Sequence, residues 1–480
     1  MSNTRPFKRS ARVELIIDDM AFEGKGLARV ETATGEYIVF VPNTIPGQLV
    51  EARIVKNKAR YAEAKLIKVV QASPMEIMSG FEPIPGAPYI NLPLEKQHHY
   101  KRKTSIELFR RIGQVAEPES LLDEFIESPL SQHYRNKMEY SFSAVEHDPE
   151  SDRPKDGFAL GFKKRGQWLV GVNLNGDSGM FDQMFEEALP AIRKFFTARG
   201  HSAWHPRERS GFCRFLTVRK SFAEDKLLVN FTSSSSELNQ FDQKAFKELM
   251  LKHLGTRLHG LVHTVNDDPG DRPKTTEGRK HLLHGEKHLK EEILGLQFDI
   301  SLESFFQTNP GSAARLYQKA MSYVSQSTID KPVILDLFSG TGTISQLLAR
   351  HNPSKRVIGV EIIEEAVADA KRSAERNALA NLDFISADVG RFLLDHPQYK
   401  GKINTLVMDP PRAGIAPKTL RKVIRLEADR MVYISCNPAT QARDLATLAE
   451  AGYELKKFSL VDQFPHTAHI ESVALFEKSG

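Results

Sequence analysis

Cysteine is nearly absent: 480 residues hold two, Cys213 and Cys436. That scarcity excludes a disulfide framework and predicts a reducing, cytoplasmic setting. No apolar run approaches the roughly 20 residues a membrane-spanning helix needs. The basic stretch Met1 to Ser10 has no apolar segment behind it, so no secretory leader is expected either. Charge of one sign is also scarce, with a net of only +5. Residues 1–70 hold 12 Lys and Arg against 8 Asp and Glu, whereas the rest holds 54 against 53. Nearly all the surplus therefore lies in the first segment, a modest nucleic-acid footprint that a merely solvated basic domain would share. Internal repeats are missing. The hydrophobic content of 40% is that of an ordinary globular chain, and the length leaves room for about three domains.

Residues 11–70 read as five short strands separated by Asp, Gly, Pro and Asn turn signals, which predicts a small closed β-barrel of the OB type over 1–70. A run rich in proline and glycine, 71–93, reads as a linker, and a helical pattern follows from about Leu94 to Ile112. The region 71–300 as a whole is expected to be linker and α+β domain. It carries alternation over Lys137 to Ser143, a hairpin around Phe158 to Gly171, a helix over Phe181 to Thr197 and a polar loop over 267–280. Residues 301–480 change pattern. Buried strands at Val333–Phe338, Arg356–Glu361, Leu382–Ala387, Ile403–Met408 and Arg430–Ser435 alternate with helical spacing, which predicts a doubly wound α/β sheet.

The run Asp336 to Thr343 follows an apolar strand and opens a helix, and its glycines allow a tight turn at a switch point. A dinucleotide fingerprint wants a third glycine, but Ser345 stands there. A lone Gly-rich turn is weak support; Glu361, ending the next strand, can hydrogen-bond ribose hydroxyls, and Asp388, ending the third, can reach an adenine. Three consecutive strand ends with suitable groups resemble class I S-adenosylmethionine-dependent methyltransferases. Asp409-Pro-Pro-Arg412 ends the fourth strand and Cys436 the fifth.

An inert pyrimidine carbon can be methylated if a thiolate first adds to C6 and a base later removes the C5 proton. Cys436, in a Ser/Asn/Pro loop at a strand end, suits the first role and Glu471, beside the last apolar strand, the second. A lone cysteine is more often a packed small hydrophobe, the reading given to Cys213. His466 and His469 either orient Glu471 or pack. Phe306 reads as core.

Together these residues look like the RNA uracil-5-methyltransferase family, which makes 5-methyluridine in tRNA or 23S ribosomal RNA. The N-terminal barrel, with Gly24 to Gly26 and the turn Phe40 to Gly47, resembles the RNA-binding TRAM domain. The resemblance implies a Rossmann-like catalytic domain at 301–480, Cys436 as nucleophile and Glu471 as base. It implies cofactor positions at Gln307, Phe338, Thr343, Glu361, Asp388 and Asp409, and at Phe305 an aromatic stacked on the flipped target base. It also implies that the helical segment 94–127 packs on the catalytic domain. The partner is RNA, with 23S rRNA favoured by the TRAM-like barrel and a tRNA T-loop uridine as the alternative; a monomer and no membrane are expected. A catalytically silent RNA-binding protein is the reading from another class, and intact Cys436 and Glu471 speak against it. Many relatives hold an iron–sulfur cluster on four cysteines. Phe81 to Tyr89 has none, so no cluster and no metal are expected, with Phe81, Ile84 and Ile90 packing in its place.

Overall fold

The computed structural model describes residues 6–32, 35–151, 153–273, 278–325 and 330–479. Six strands, β1 (Arg12–Ile16), β2 (Asp19–Ala21), β3 (Lys25–Thr32), β4 (Gly35–Pro42), β5 (Leu49–Asn57) and β6 (Tyr61–Gln71), form one sheet ordered β1-β5-β6-β4-β3-β2. Its two ends are consecutive in the chain, because β1 pairs with β5 and β2 with β3. One bent strand therefore closes the barrel, which reconciles six strands with the five expected. Leu15, Val39, Val41, Val50, Ile54 and their neighbours fill it.

Helix α1 (Leu94–Arg111) ends before Gly113, and a single turn, α2 (Pro118–Leu121), follows. The next residues are not helical. Leu122–Ile126 is a strand, β7, paired in parallel at the edge of the catalytic sheet. This corrects the expectation of a helix over 94–127: the alternating segment gains backbone partners that no local propensity reveals. Attachment to the catalytic domain is through α1 packing, with Phe109 stacked on Phe458 at 4.3 Å, and through main-chain pairing.

The central region holds a seven-stranded sheet. Its strands are β8 (Lys137–Asp148), β9 (Arg153–Lys163), β10 (Gly171–Asn173), β11 (Cys213–Ser221), β12 (Lys226–Ser233), β13 (Leu258–Val265) and β14 (Arg279–Gly285), in the order β10-β9-β8-β11-β12-β13-β14. Helices α3 (Gln183–Thr197) and α4 (Gln243–Leu254) pack on one face around Phe142, Phe196, Phe231 and Phe246. Cys213 lies in that core, as do Ile84 and Ile90 from the linker; Phe81 packs against it, edge-on to His133. Of the polar stretch 267–280, residues 274–277 lie outside the described residues. A hairpin, β15 (Leu289–Ile293) and β16 (Leu296–Ile300), shares its apolar cluster with α5 (Pro310–Ser325) of the catalytic half. The core therefore runs across the boundary expected at residue 301.

The catalytic half is a Rossmann-like sheet of β17 (Val333–Leu337), β18 (Arg356–Glu361), β19 (Leu382–Ser386), β20 (Ile403–Met408), β21 (Arg430–Ser435), β22 (Tyr453–Val461) and β23 (Glu471–Lys478). With β7 its order is β19-β18-β17-β20-β21-β23-β22-β7. Helices α5, α6 (Thr343–His351) and α7 (Glu364–Arg376) lie in chain order with α8 (Val389–Asp395), α9 (Pro417–Ile424) and α10 (Pro438–Glu450). Strands buried on both faces are continuous apolar runs, as parallel packing requires, and the order reverses between β17 and β20, where such sheets open a crevice. No helix among the described residues is long and apolar enough to cross a membrane.

Candidate active site

A cavity of about 860 Å³ opens at the carboxyl ends of β17, β18, β20 and β21. On one side the chain leaves β17 through Phe338, whose φ of 66° is a left-handed conformation that bulky residues adopt at a cost. Gly342, at φ 80°, opens α6; a Cβ there would stand 2.4 Å from the Phe384 ring, so only glycine lets the turn close. Thr343 then presents the start of α6 to the cavity, with no side chain capping it. The Glu361 carboxylate accepts the amide of Gly340 at 3.0 Å and those of Ile362 and Ile363 at 2.9 and 3.1 Å. Ile362 and Ile363 are exposed apolar side chains on the cavity wall, suited to lie against a flat group. Behind this turn the Asp336 carboxylate accepts the Ser345 hydroxyl at 2.5 Å, and its second oxygen has no partner.

Across the cavity stand Asp409, Pro410, Pro411 and Arg412 after β20, Cys436 after β21 and Glu471 at the start of β23. Glu471 is the first residue of that strand rather than the one before it, and it pairs with Val461. Burial pushes the Glu471 carboxyl up to about 8, Asp409 adds to the rise and Arg412 opposes it. Burial pushes Asp409 and Asp336 up to about 7. The Cys436 thiol rises to about 11, first by burial and then through Glu471 and Asp409, with Arg412 pulling it back. Burial and Arg412 lower His469 to about 4, so its ring is neutral at pH 7. Acidic groups held half-neutral by burial are relieved by a cation.

Two loops position these groups. Asn136 donates from Nδ2 to the Gln307 carbonyl at 3.0 Å and from its backbone N–H to the Thr308 carbonyl at 2.7 Å, and the buried Arg219 donates to the Ser304 carbonyl. This leaves Phe305 72% exposed at the cavity mouth, while Phe306 is core. The second loop runs from Asp462 to Glu471. Lys101 of α1 donates to Asp462 at 2.6 Å and to the Phe464 carbonyl at 3.0 Å, and His98 adds a contact to Asp462 at 3.0 Å. Gln97 Oε1 accepts the His466 amide at 2.7 Å.

The structure thus gathers Cys436, Glu471, Gln307, Phe338, Thr343, Glu361, Asp409 and Phe305 around one cavity. Asp388 is not among its lining residues; its carboxylate instead caps α8, accepting the Arg391 amide at 3.1 Å. His469 lines the cavity and His466 does not. Sequence reasoning missed Arg135, Ile362, Ile363 and Tyr317. Tyr317 lies on α5 with its hydroxyl ionisation pushed up by burial and by Asp409 and Glu471; on the sequence it is one more apolar-face helical position.

The family model described as tRNA (uracil-5-)-methyltransferase matches residues 286–479, and the TRAM domain model matches 6–67. An uncharacterized RNA methyltransferase of Caldanaerobacter subterraneus is 34% identical over 97% of this chain and 99% of its own length. One from Clostridium tetani is 33% identical over 97% of each chain. The crystal structure of Pyrococcus abyssi tRNA (uracil-54, C5)-methyltransferase in complex with S-adenosyl-L-homocysteine superposes with a TM-score of 0.68. It is 24% identical and covers 97% of this chain and 100% of its own.

Proposed function

The chain belongs to the RNA uracil-5-methyltransferase family, enzymes dependent on S-adenosylmethionine; from that membership we propose that Cys436 and Glu471 methylate a uridine at C5, and from the TRAM barrel that the uridine lies in 23S rRNA. The observation that carries this reading is one cavity lined by a thiol, a buried carboxyl group and a Gly-rich turn with its strand-end glutamate.

The residues present fit the cofactor. Glu361, Asp409 and Glu471 line the cavity against Arg135 and Arg412, and burial leaves their neighbourhood short of positive charge. We assign Gln307, Phe338, Thr343, Glu361 and Asp409 to holding it, with Ile362 and Ile363 against its flat end; Asp388 supports this wall through the α8 cap. When bound, S-adenosylmethionine supplies a methyl group on a cationic sulfur.

The Cys436 thiol gives up its proton to solvent, Sγ bonds to C6 of the uracil, and the C5–C6 electron pair moves into an enolate at O4. C5 would then take the methyl group from the sulfonium, which would leave as a neutral thioether, and Glu471 removes the C5 proton so that the returning electron pair expels the thiolate. Arg412, the cation acting on both Cys436 and Glu471, favours the charged form of each. Phe305 at the mouth offers a face for the extruded base. Residues 1–70 act as the RNA-binding barrel, 71–300 as linker and central domain, and 301–480 as the catalytic domain.

Labelled cofactor incubated with total RNA from a strain lacking the enzyme, followed by mapping, tests the reaction and the substrate together. Transfer to 23S rRNA supports the leading assignment. Transfer to a tRNA T-loop supports the second reading, which the description of the family model favours. No transfer to any RNA overturns the proposal. RNA containing 5-fluorouridine, which has no C5 proton to lose, should trap a covalent complex with the wild type and none with Cys436→Ala. Glu471→Gln should methylate and then release RNA slowly.

A further inference from the structure

The two tryptophans stand in opposite environments. Trp204 is 3% exposed beneath the Arg214 guanidinium, 4.1 Å from its ring, whereas Trp168 is 58% exposed at the tip between β9 and β10. That tip is firmly built. Lys164 N–H donates to the Val170 carbonyl at 2.7 Å, Gln167 N–H to Lys164 at 2.9 Å and Val170 N–H to Gln167 at 2.9 Å. A large ring left mostly in water on a hydrogen-bonded turn adds little buried apolar area to the fold.

Its surroundings are cationic. From Gly161 to Asn173 the chain holds Lys163, Lys164 and Arg165 and no acid. Lys163 is paired with Asp271 at 3.3 Å. Lys65 of the barrel reaches across and donates to the Gly166 carbonyl at 3.2 Å. Gly166 has φ 71°, a left-handed conformation that favours glycine, and the Lys65 ammonium lies close against it. Arg165 acts electrostatically on the buried Tyr89 hydroxyl. Tyr89 in turn donates to the Gly24 carbonyl of the barrel at 2.8 Å and, through its N–H, to the His466 carbonyl in the loop leading to Glu471 at 3.1 Å. The tip therefore stands beside the seam where barrel, linker and cavity loop meet.

An exposed aromatic face among cations suits an unpaired nucleobase with its phosphates. A protein partner would want apolar neighbours around the ring, and the tip supplies Lys, Arg and Gln. We propose that Trp168, with Lys164, Arg165 and Lys65 about it, is a stacking platform for an unpaired base of the substrate RNA outside the catalytic cavity. This site is separate from Phe305 and rests on the RNA methyltransferase reading.

The full chain is titrated with short oligouridine and with duplex RNA of equal length while tryptophan emission is followed. Oligouridine quenches the wild type and the duplex does not. Trp168→Phe, which retains only the shielded Trp204, shows no response to either. Trp168→Ala raises the KM for RNA by about 10-fold, the loss falling on KM rather than kcat, with affinity for S-adenosylhomocysteine retained as proof of folding; Trp168→Phe recovers part of the loss. Oligouridine bound by anisotropy without quenching, together with an unchanged KM in Trp168→Ala, overturns the platform and leaves the methyl-transfer reading standing. A wild type that binds no RNA overturns both.

Discussion

Glu471 carries its carboxyl in a place where ionisation is costly. Its folded-state value, near 8, lies well above the ordinary carboxylate range. A folded carboxyl that keeps a proton its unfolded form has released contributes stability fully present below the unfolded value and lost as pH rises through the folded one. Asp409 and Asp336 act in the same direction with values near 7. The wild type should therefore lose melting temperature between about pH 5 and about pH 9, and Glu471→Gln, which has no proton to give up, should lose less. Melting curves across that range decide it; parallel losses in the two proteins would show that burial of Glu471 does not govern the site. The same residues show what was legible beforehand. Cys436, Asp409 and Glu361 each follow a run of apolar β-formers, so their strand-end placement could be read directly. Arg135 and Tyr317 come from a loop and a helix face with no motif around them, and only the packing of three regions brings them in. Asp388 stands two residues past the end of β19, and its carboxylate has a nearer partner in the first turn of the following helix.

Helix α1 is a strut. Lys101 and Asp462 form a buried pair, and Gln97 and His98 on the same face hold His466 and Asp462. Removing one partner of a buried pair typically costs about 3–5 kcal/mol, because the other charge stays buried. Lys101→Met should destabilise by about 3 kcal/mol, reduced if His98 takes up the charge, and should lower kcat by displacing the loop that ends at Glu471. Denaturant melts and steady-state kinetics together check this; unchanged kcat with lowered stability would confine Lys101 to folding. The helix itself was readable from its spacing, but β7 was not. Leu122-Asp-Glu-Phe-Ile is short and carries two acids, and it becomes a strand because β22 offers an open edge.

At the scale of the molecule, the barrel meets the catalytic half through apolar packing of Phe22 and Met20 and through polar ties to the linker and α1. Tyr89 reaches Gly24, and Lys103 of α1 pairs with Asp19 at 2.6 Å. Tyr89→Phe leaves the Gly24 carbonyl with the Asn43 N–H at 3.2 Å as its remaining donor, at a cost of about 1 kcal/mol. Hydrogen exchange over β2 and β3 should quicken and the KM for RNA should rise, while cofactor affinity holds. Faster exchange spread over all sheets would instead mark a global loss of stability. The N-terminal barrel and the doubly wound sheet were visible in periodicity. The shared core of the β15–β16 hairpin with α5 was not, because apolar alternation does not say which neighbour it will meet.

The pairing of β7 with β22 joins residues 122–126 to residues 458–461, and so it sets an order of assembly on the ribosome. The edge strand emerges early and waits for a partner translated almost last, alongside Cys436 and Glu471. Until then the nascent chain carries an unsatisfied β segment, a template for mispairing that favours chaperone engagement. Nor can the catalytic half be cut free at residue 301 without exposing the other side of that pair: such a fragment would bare the edge of β22 and be prone to aggregate.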